Sequence, residues 1–251
     1  LWVREPPELR APSTPAVPGG GMIRGAETRG SSHVTARNQR RLRESGAPNG
    51  KCSNLSWRRK RSLDIREESI GHLDELAAIS TAFLVERVFD VSLVDGGLGG
   101  IVLSEVLVEE PWIKDYDAIE GERPFGWAER FDVTNWGLLV AHDSERRVGG
   151  AVVAFDTAGV DMLEGRLDLA VLWDIRVRPE ARSAGTGARL FHSAEAWARD
   201  RGCRTLKAET QNINVPACRF YRRMGCTLGA IDRFAYPDLP DEVQLMWFKQ
   251  L

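Results

Sequence analysis

Cysteine is scarce in this chain and follows no metal-binding pattern. Its 251 residues include four, Cys52, Cys203, Cys218 and Cys226, and no two of them form a C-x-x-C pair. The four histidines never fall into H-E-x-x-H. These absences exclude the common zinc-site patterns, so no metal is expected, and they suit a reducing, cytoplasmic compartment. The thiols read as small buried hydrophobes. Long apolar runs are missing too. The strongest, "NWGLLVAH", is far too short to cross a bilayer, so no membrane span is expected. Nothing near the start combines a basic flank, an apolar core and a small-residue cleavage site, so no signal peptide is read.

A strong net charge is also lacking, but the average hides a split. The chain holds 34 Lys and Arg against 36 Asp and Glu, a net charge of −2. Residues 1–60 carry 12 of the basic and 4 of the acidic residues, which leaves 22 basic against 32 acidic over 61–251. The first part is rich in Pro, Gly, Ser and Arg ("REPPELRAPSTPAVPGGG") and has no hydrophobic periodicity, so it cannot bury enough apolar surface to offset the cost of ordering. With Leu1 first and Met22 the first methionine, residues 1–60 are expected to be a disordered, upstream-derived leader. A basic arm for nucleic acid or a partner is the rival reading. The acidic remainder repels nucleic acid and attracts small polycations. With 43% hydrophobic and 28% charged residues, the chain is otherwise an ordinary soluble globular protein.

From about residue 61 the pattern becomes regular. "SLDIRE" reads as a first strand. "SIGHLDELAAISTAFLVERVF" reads as a helix capped by Ser69, with Leu73, Leu76, Ala77 and Ile79 on one face. "WGLLVAHD" and "RVGGAVVAFDT" read as two strands joined by a polar turn, and "LAVLWDIRVRP" as a third, ended by Pro179. A helix is expected over 186–201, with Leu190, Phe191, Ala194, Trp197 and Ala198 inward and Gly202 at its end. "TLKAETQ" is a strand, "VPACRFYRRMG" a short helix with Pro216 in its first turn, and "EVQLMWFKQL" a closing strand. The fold class is α/β (α+β), with a mixed sheet around one central strand–loop–helix unit.

That unit carries "EARSAGTGARLF", residues 180–191. A Walker loop would need Lys-Ser or Lys-Thr after its last glycine, but Ala188 and Arg189 follow Gly187. A dinucleotide fingerprint would need glycine at position 190, which is Leu. What remains is R-x-x-G-x-G, that is Arg182, Gly185 and Gly187, at a helix start. Unpaired N–H groups and the positive end of the helix dipole suit a phosphate there, and glycines let the ligand approach the backbone closely.

Downstream, Asn214, Ala217, Phe220, Tyr221 and Gly225 stand in the spacing N-x-x-A-x-x-F-Y-x-x-x-G. Together with Arg182–Gly187, some thirty residues earlier, this resembles the GNAT superfamily of acetyl-CoA-dependent N-acetyltransferases. Ser183 stands where that family usually has the first glycine of its loop, which implies altered loop geometry. "VLWDIRVRPEAR", "ETQNINVPACRFYRRMGCTLGAIDRFAYP" and other segments across 80–249 are similar to the streptothricin (nourseothricin) acetyltransferases, with the aminoglycoside acetyltransferases in the same superfamily.

The resemblance implies a GNAT fold over 61–251, its sheet splayed around an acetyl-CoA site with helices on both faces, and a homodimer is the partner state considered. Its implied reaction is direct attack of an amine on the thioester in a ternary complex. Arg182 and the backbone of Ser183, Ala184, Gly185, Thr186, Gly187 and Ala188 would hold the pyrophosphate. Main chain at Ile175 and Val177 would hold the pantetheine arm, and Asn214 would bind the cofactor through its amide. Tyr221 would protonate the leaving thiolate, and Asp174 or Glu209 would serve as base. Alternation along "LWDIRV" puts Asp174 opposite both Trp173 and Ile175. The acid-rich stretch 104–122 offers Glu109, Glu110, Asp115 and Asp117, with Trp112 and Tyr116, as a wall for a small cationic antibiotic. A peptide or polyamine N-acetyltransferase and a non-catalytic acyl-CoA-binding module are the alternatives.

Overall fold

A computed structural model describes residues 63–251. The expected leader and Cys52 lie outside these residues. Nine strands are present among the described residues: β1 Leu63–Glu68, β2 Phe83–Val94, β3 Gly100–Lys114, β4 Gly137–Asp143, β5 Arg146–Ala154, β6 Leu169–Val177, β7 Thr205–Gln211, β8 Thr227–Asp232 and β9 Gln244–Gln250. Four α-helices accompany them: α1 Leu73–Ala77, α2 Pro124–Arg130, α3 Thr186–Asp200 and α4 Val215–Arg223. Seven strands form one mixed sheet in the order β1-β4-β5-β6-β7-β9-β8, while β2 and β3 pair only with each other.

Strict alternation along the central strands feeds two cores. Leu139, Ala141, Ala151, Val153, Ala170 and Leu172 meet the inner face of α3 (Leu190, Phe191, Ala194, Trp197) and Tyr221 of α4. Leu138, Val140, Val152, Ala154 and Val171 meet α1, α2 and a group of buried tryptophans on the other face. The sheet is therefore covered on both sides, as the mixed α/β reading requires.

The sheet does not close at its centre. Strands β6 and β7 run parallel but pair only from Leu169↔Thr205 to Leu172↔Ala208. Beyond that point β6 stays on β5 as far as Val177, and β7 stays on β9 as far as Gln211. The two strands part like the arms of a V. The parting begins beside a register slip, where Val152 faces Asp174 but Val153 faces Leu172, so Trp173 is an extra residue.

That bulge corrects the alternation expected for β6. Trp173 belongs to the core on the α1–α2 face, and Ile175 and Val177 pack on the α3 face. Asp174 hydrogen-bonds Arg176, whose guanidinium reaches the Ile79 carbonyl on the α1–α2 side. Asp174 is thus opposite Ile175, as expected, but on the same side as Trp173.

A second correction concerns residues 69–89. The helix read there is only a 3-10 turn, Ile70–His72, followed by the five residues of α1. Ser69 does cap the turn, accepting from Gly71 N at 3.3 Å. From Phe83 the chain is strand, because the run of Val, Phe and Leu pairs with Gly100–Lys114 in a long hairpin. Residues 104–114 of the acid-rich stretch, expected as part of a substrate wall, are the second arm of that hairpin. Helix α2 and strand β8 were not read from the sequence. The hairpin is fixed to the body where Phe89 N donates to the Asn212 carbonyl at 2.9 Å and Asn212 Nδ2 donates to the Phe89 carbonyl at 3.0 Å.

Candidate active site

The loop from β6 to α3 forms one lip of the V. A 3-10 turn, Pro179–Ala181, leads into Ser183 and then Gly185, the N-cap of α3. The first helical bond runs from Arg189 N to the Gly185 carbonyl at 3.0 Å, so the N–H groups of residues 186–188 have no acceptor within the helix. Gly185 has φ 83°, a conformation that glycine adopts without strain. A Cβ on Gly187 would stand 3.4 Å from the Phe220 ring, an ordinary contact, so α4 packs close beside the helix start. Thr186 points away from the lip and donates to the Ala181 carbonyl at 3.1 Å, bracing the turn. Arg182 folds back, its Nε donating to the Val177 carbonyl at 3.0 Å.

Ser183 occupies the position where the sequence lacks an expected glycine. It takes φ 61°, the left-handed region that glycine favours. The loop keeps the glycine-type path with a serine in it, at a conformational cost.

Between the lips lies a cleft of about 690 Å³. The three expected catalytic residues, Tyr221, Asp174 and Glu209, all line it. So do Ile175, Val177, Arg182, Ser183, Gly185, Gly187, Ala188 and Asn214; Ala184 and Thr186 do not. Asn214 also caps α4, its Oδ1 accepting from Ala217 N at 3.1 Å.

The expected acceptor wall is placed differently. Of its six residues only Tyr116 reaches the cleft. Glu109, Glu110 and Trp112 are exposed on β3. Asp115 accepts from Thr81 Oγ1 at 3.3 Å, and Asp117 turns inward to Thr81 N at 3.1 Å and Arg176 Nη1 at 2.9 Å. In their place the cleft takes Glu122, Trp127, Trp173, Phe83 and Gln211. Glu122 closes the same acidic stretch and Trp127 follows it, so both were within reach of sequence reasoning. Which acid turns inward depends on tertiary packing, and the sequence carries no local signal for it.

Arg176 sets the electrostatics beneath the cleft. Its side chain is 2% exposed. It holds Asp174 at 2.7 Å and Asp117 at 2.9 Å. Burial opposes its charge, but the two carboxylates more than offset that and raise its ionisation above the ordinary arginine value. Asp174 is thus charge-compensated. Glu209, 8% exposed, has no cationic partner among the described residues. On α4, burial first and the Asp174 charge second push the Tyr221 hydroxyl well above the usual tyrosine range, so it keeps its proton. That hydroxyl has no partner among the described residues, yet it is not among the sealed, unpaired polar atoms, so it opens to the cleft.

A parted sheet, a helix start with free N–H groups and a protonated tyrosine thus meet at one cleft. Residues 106–226 match the Acetyltransferase (GNAT) family. The chain is 30% identical over 169 residues to the streptothricin acetyltransferase of Escherichia coli, which spans 66% of this chain and 84% of that one. The chain belongs to the GNAT family and is an N-acetyltransferase. Two solved structures share its fold. A nourseothricin acetyltransferase aligns at 28% identity with a TM-score of 0.58, covering 75% of this chain and 98% of its own. A protein of Bacillus anthracis str. Ames described as a streptothricin acetyltransferase, solved with acetyl coenzyme A, aligns at 27% identity with a TM-score of 0.58, covering 76% and 98%.

The strain at Ser183 can be measured. A left-handed L residue costs roughly 1–2 kcal/mol, and glycine returns this less about 0.5–1 kcal/mol of extra chain entropy. Ser183→Gly should therefore raise the unfolding free energy by up to about 1.5 kcal/mol, read as a higher urea midpoint at an unchanged slope, and leave the KM for acetyl-CoA in place. A clear loss of stability would show that the serine side chain, not the φ angle, governs this position.

Proposed function

We propose that this enzyme acetylates an amino group of a polycationic antibiotic of the streptothricin type, and that the amine attacks acetyl-CoA directly in a ternary complex. The observation that carries the reading is the composition of the cleft beyond the thioester position. Glu209, 8% exposed and without a cationic partner among the described residues, stands there with Phe83, Tyr116 and Trp127, and Glu122, paired with Arg130, lines the same cleft. Buried negative charge among aromatic faces attracts and desolvates an amine, and it disfavours anionic or neutral acceptors. Similarity to streptothricin acetyltransferases at 27–30% identity over most of their length supports the same acceptor class.

The reaction needs four things from this chain. The free N–H groups at the start of α3 receive the pyrophosphate, where the dipole favours negative charge. The edge of β6 that β7 leaves beyond Leu172 offers backbone partners to the pantetheine arm at Ile175 and at the Val177 N–H, the Val177 carbonyl being taken by Arg182, and such an N–H polarises the thioester carbonyl. Glu209 takes a proton from the amine as the C–N bond forms. Asp174 is the weaker candidate, because Arg176 already holds its charge. Tyr221 gives its proton to the sulfur as the C–S bond breaks. No enzyme nucleophile is required.

A thiol-release assay with acetyl-CoA should show turnover with streptothricin and little with aminoglycosides or a peptide panel. Turnover of a peptide with no cationic antibiotic accepted would overturn the substrate assignment. Tyr221→Phe should lower kcat by about a hundredfold or less, since a thiolate is a tolerable leaving group, with the KM for acetyl-CoA little changed. Full rate in that variant across the pH range would remove Tyr221 from the reaction.

A further inference from the structure

Glu209 does not stand alone in the cleft wall. It is the last member of a hydrogen-bond chain that begins at the cap of α4. Asn214 spends its Oδ1 on Ala217 N, so its Nδ2 is left to face the Tyr116 hydroxyl, at 3.4 Å. Tyr116 then donates its own proton to Gln211 Oε1 at 2.5 Å. That turns the other end of the Gln211 amide toward Tyr236, where Nε2 donates to the hydroxyl at 3.1 Å. Tyr236 in turn donates to Glu209 Oε1 at 2.5 Å.

Every member but the last both gives and takes, and the direction is forced by the helix cap. Glu209 and Gln211, two apart on β7, face the same way. Tyr236 comes from the turn between β8 and β9 and is 2% exposed. Glu209 Oε2 has no partner and is not among the sealed, unpaired polar atoms, so it is the oxygen open to the cleft.

We propose that Tyr236, oriented through Gln211 and Tyr116, is a positioning residue that fixes the Glu209 carboxylate, holding Oε1 and aiming Oε2 at the acceptor amine. This rests on the reading of Glu209 as the proton acceptor. The chain also ties a residue of the acceptor end, Tyr116, and a residue on the cofactor side, Asn214, to one carboxylate.

Other ionisable groups near this chain do not compete for Glu209. Glu242 pairs with Lys114 at 2.5 Å and Asp174 with Arg176. Glu122, at the same end of the cleft, has Arg130 at 3.4 Å. Burial pushes the Cys218 thiol on α4 up to about 12 and raises the Tyr116 and Tyr221 hydroxyls above their usual range. Burial and the adjoining Glu209 charge do the same for Tyr236, so it remains a donor.

The test follows the Glu209 carboxyl carbon by NMR in the full protein labelled with 13C-glutamate, without acceptor, the resonance being assigned by its loss in Glu209→Gln. In Tyr236→Phe the carboxylate loses a donor, so its titration midpoint should move up by about one pH unit. Gln211→Met, which breaks the chain one step earlier, should move it the same way by less, and it serves if Tyr236→Phe fails to fold. An unmoved midpoint in a folded variant overturns the positioning role. The acidic limb of kcat/KM with streptothricin then separates the two readings. A limb that follows the shifted midpoint supports both. A midpoint that shifts without the limb leaves Tyr236 as the positioner of a carboxylate that is not the base.

Discussion

The function of this protein depends on where two strands stop bonding. Strands β6 and β7 share four residue pairs and then separate, each held by its outer neighbour. Unpaired backbone groups inside a protein are costly, so a gap in a sheet persists only where something else compensates. Here the gap supplies backbone partners along β6 and room for a substrate, and it points both strand ends at one volume. Every candidate catalytic group, Asp174 on β6, Glu209 on β7 and Tyr221 on the helix after β7, reaches the cleft because of that separation.

Charge is divided to match. Arg176 gathers Asp174 and Asp117 into a buried cluster and pins the segment after the hairpin to β6. Breaking such a cluster by removing one partner strands a charge, which makes it a rigid floor and a poor source of a free base. Glu209 is left with a neutral partner only. The sheet therefore presents to one cleft a compensated carboxylate on β6 and, on β7, one without a cationic partner among the described residues. In the proposed reaction the second takes the proton from the amine.

Much of this was legible in the sequence. The apolar alternation of β4, β5 and the first half of β6 can be read directly, and the loop "RSAGTG" with Asn214 and Tyr221 some thirty residues on points to one side of the cleft through residue types that suit an anion. The acceptor half was harder to read. A single extra residue at Trp173 reverses the alternation of β6, and nothing local in "LWDIRV" announces it. The hairpin carries an acidic strand away from the cleft, so Glu109 and Glu110 lie on its surface while Glu122, a few residues on, turns inward. Tyr236 and Gln211 acquire meaning only through contacts between distant segments, which composition and spacing do not encode.

The account stands or falls on whether the parted strands and the start of α3 receive the cofactor. Amide hydrogen exchange measured with and without coenzyme A tests this most directly. Added coenzyme A should slow exchange in peptides spanning 173–177 and 183–188 and leave the hairpin end, residues 93–101, unchanged. Binding that protects the hairpin end, or that leaves both β6 and the helix start as exchangeable as before, would contradict it.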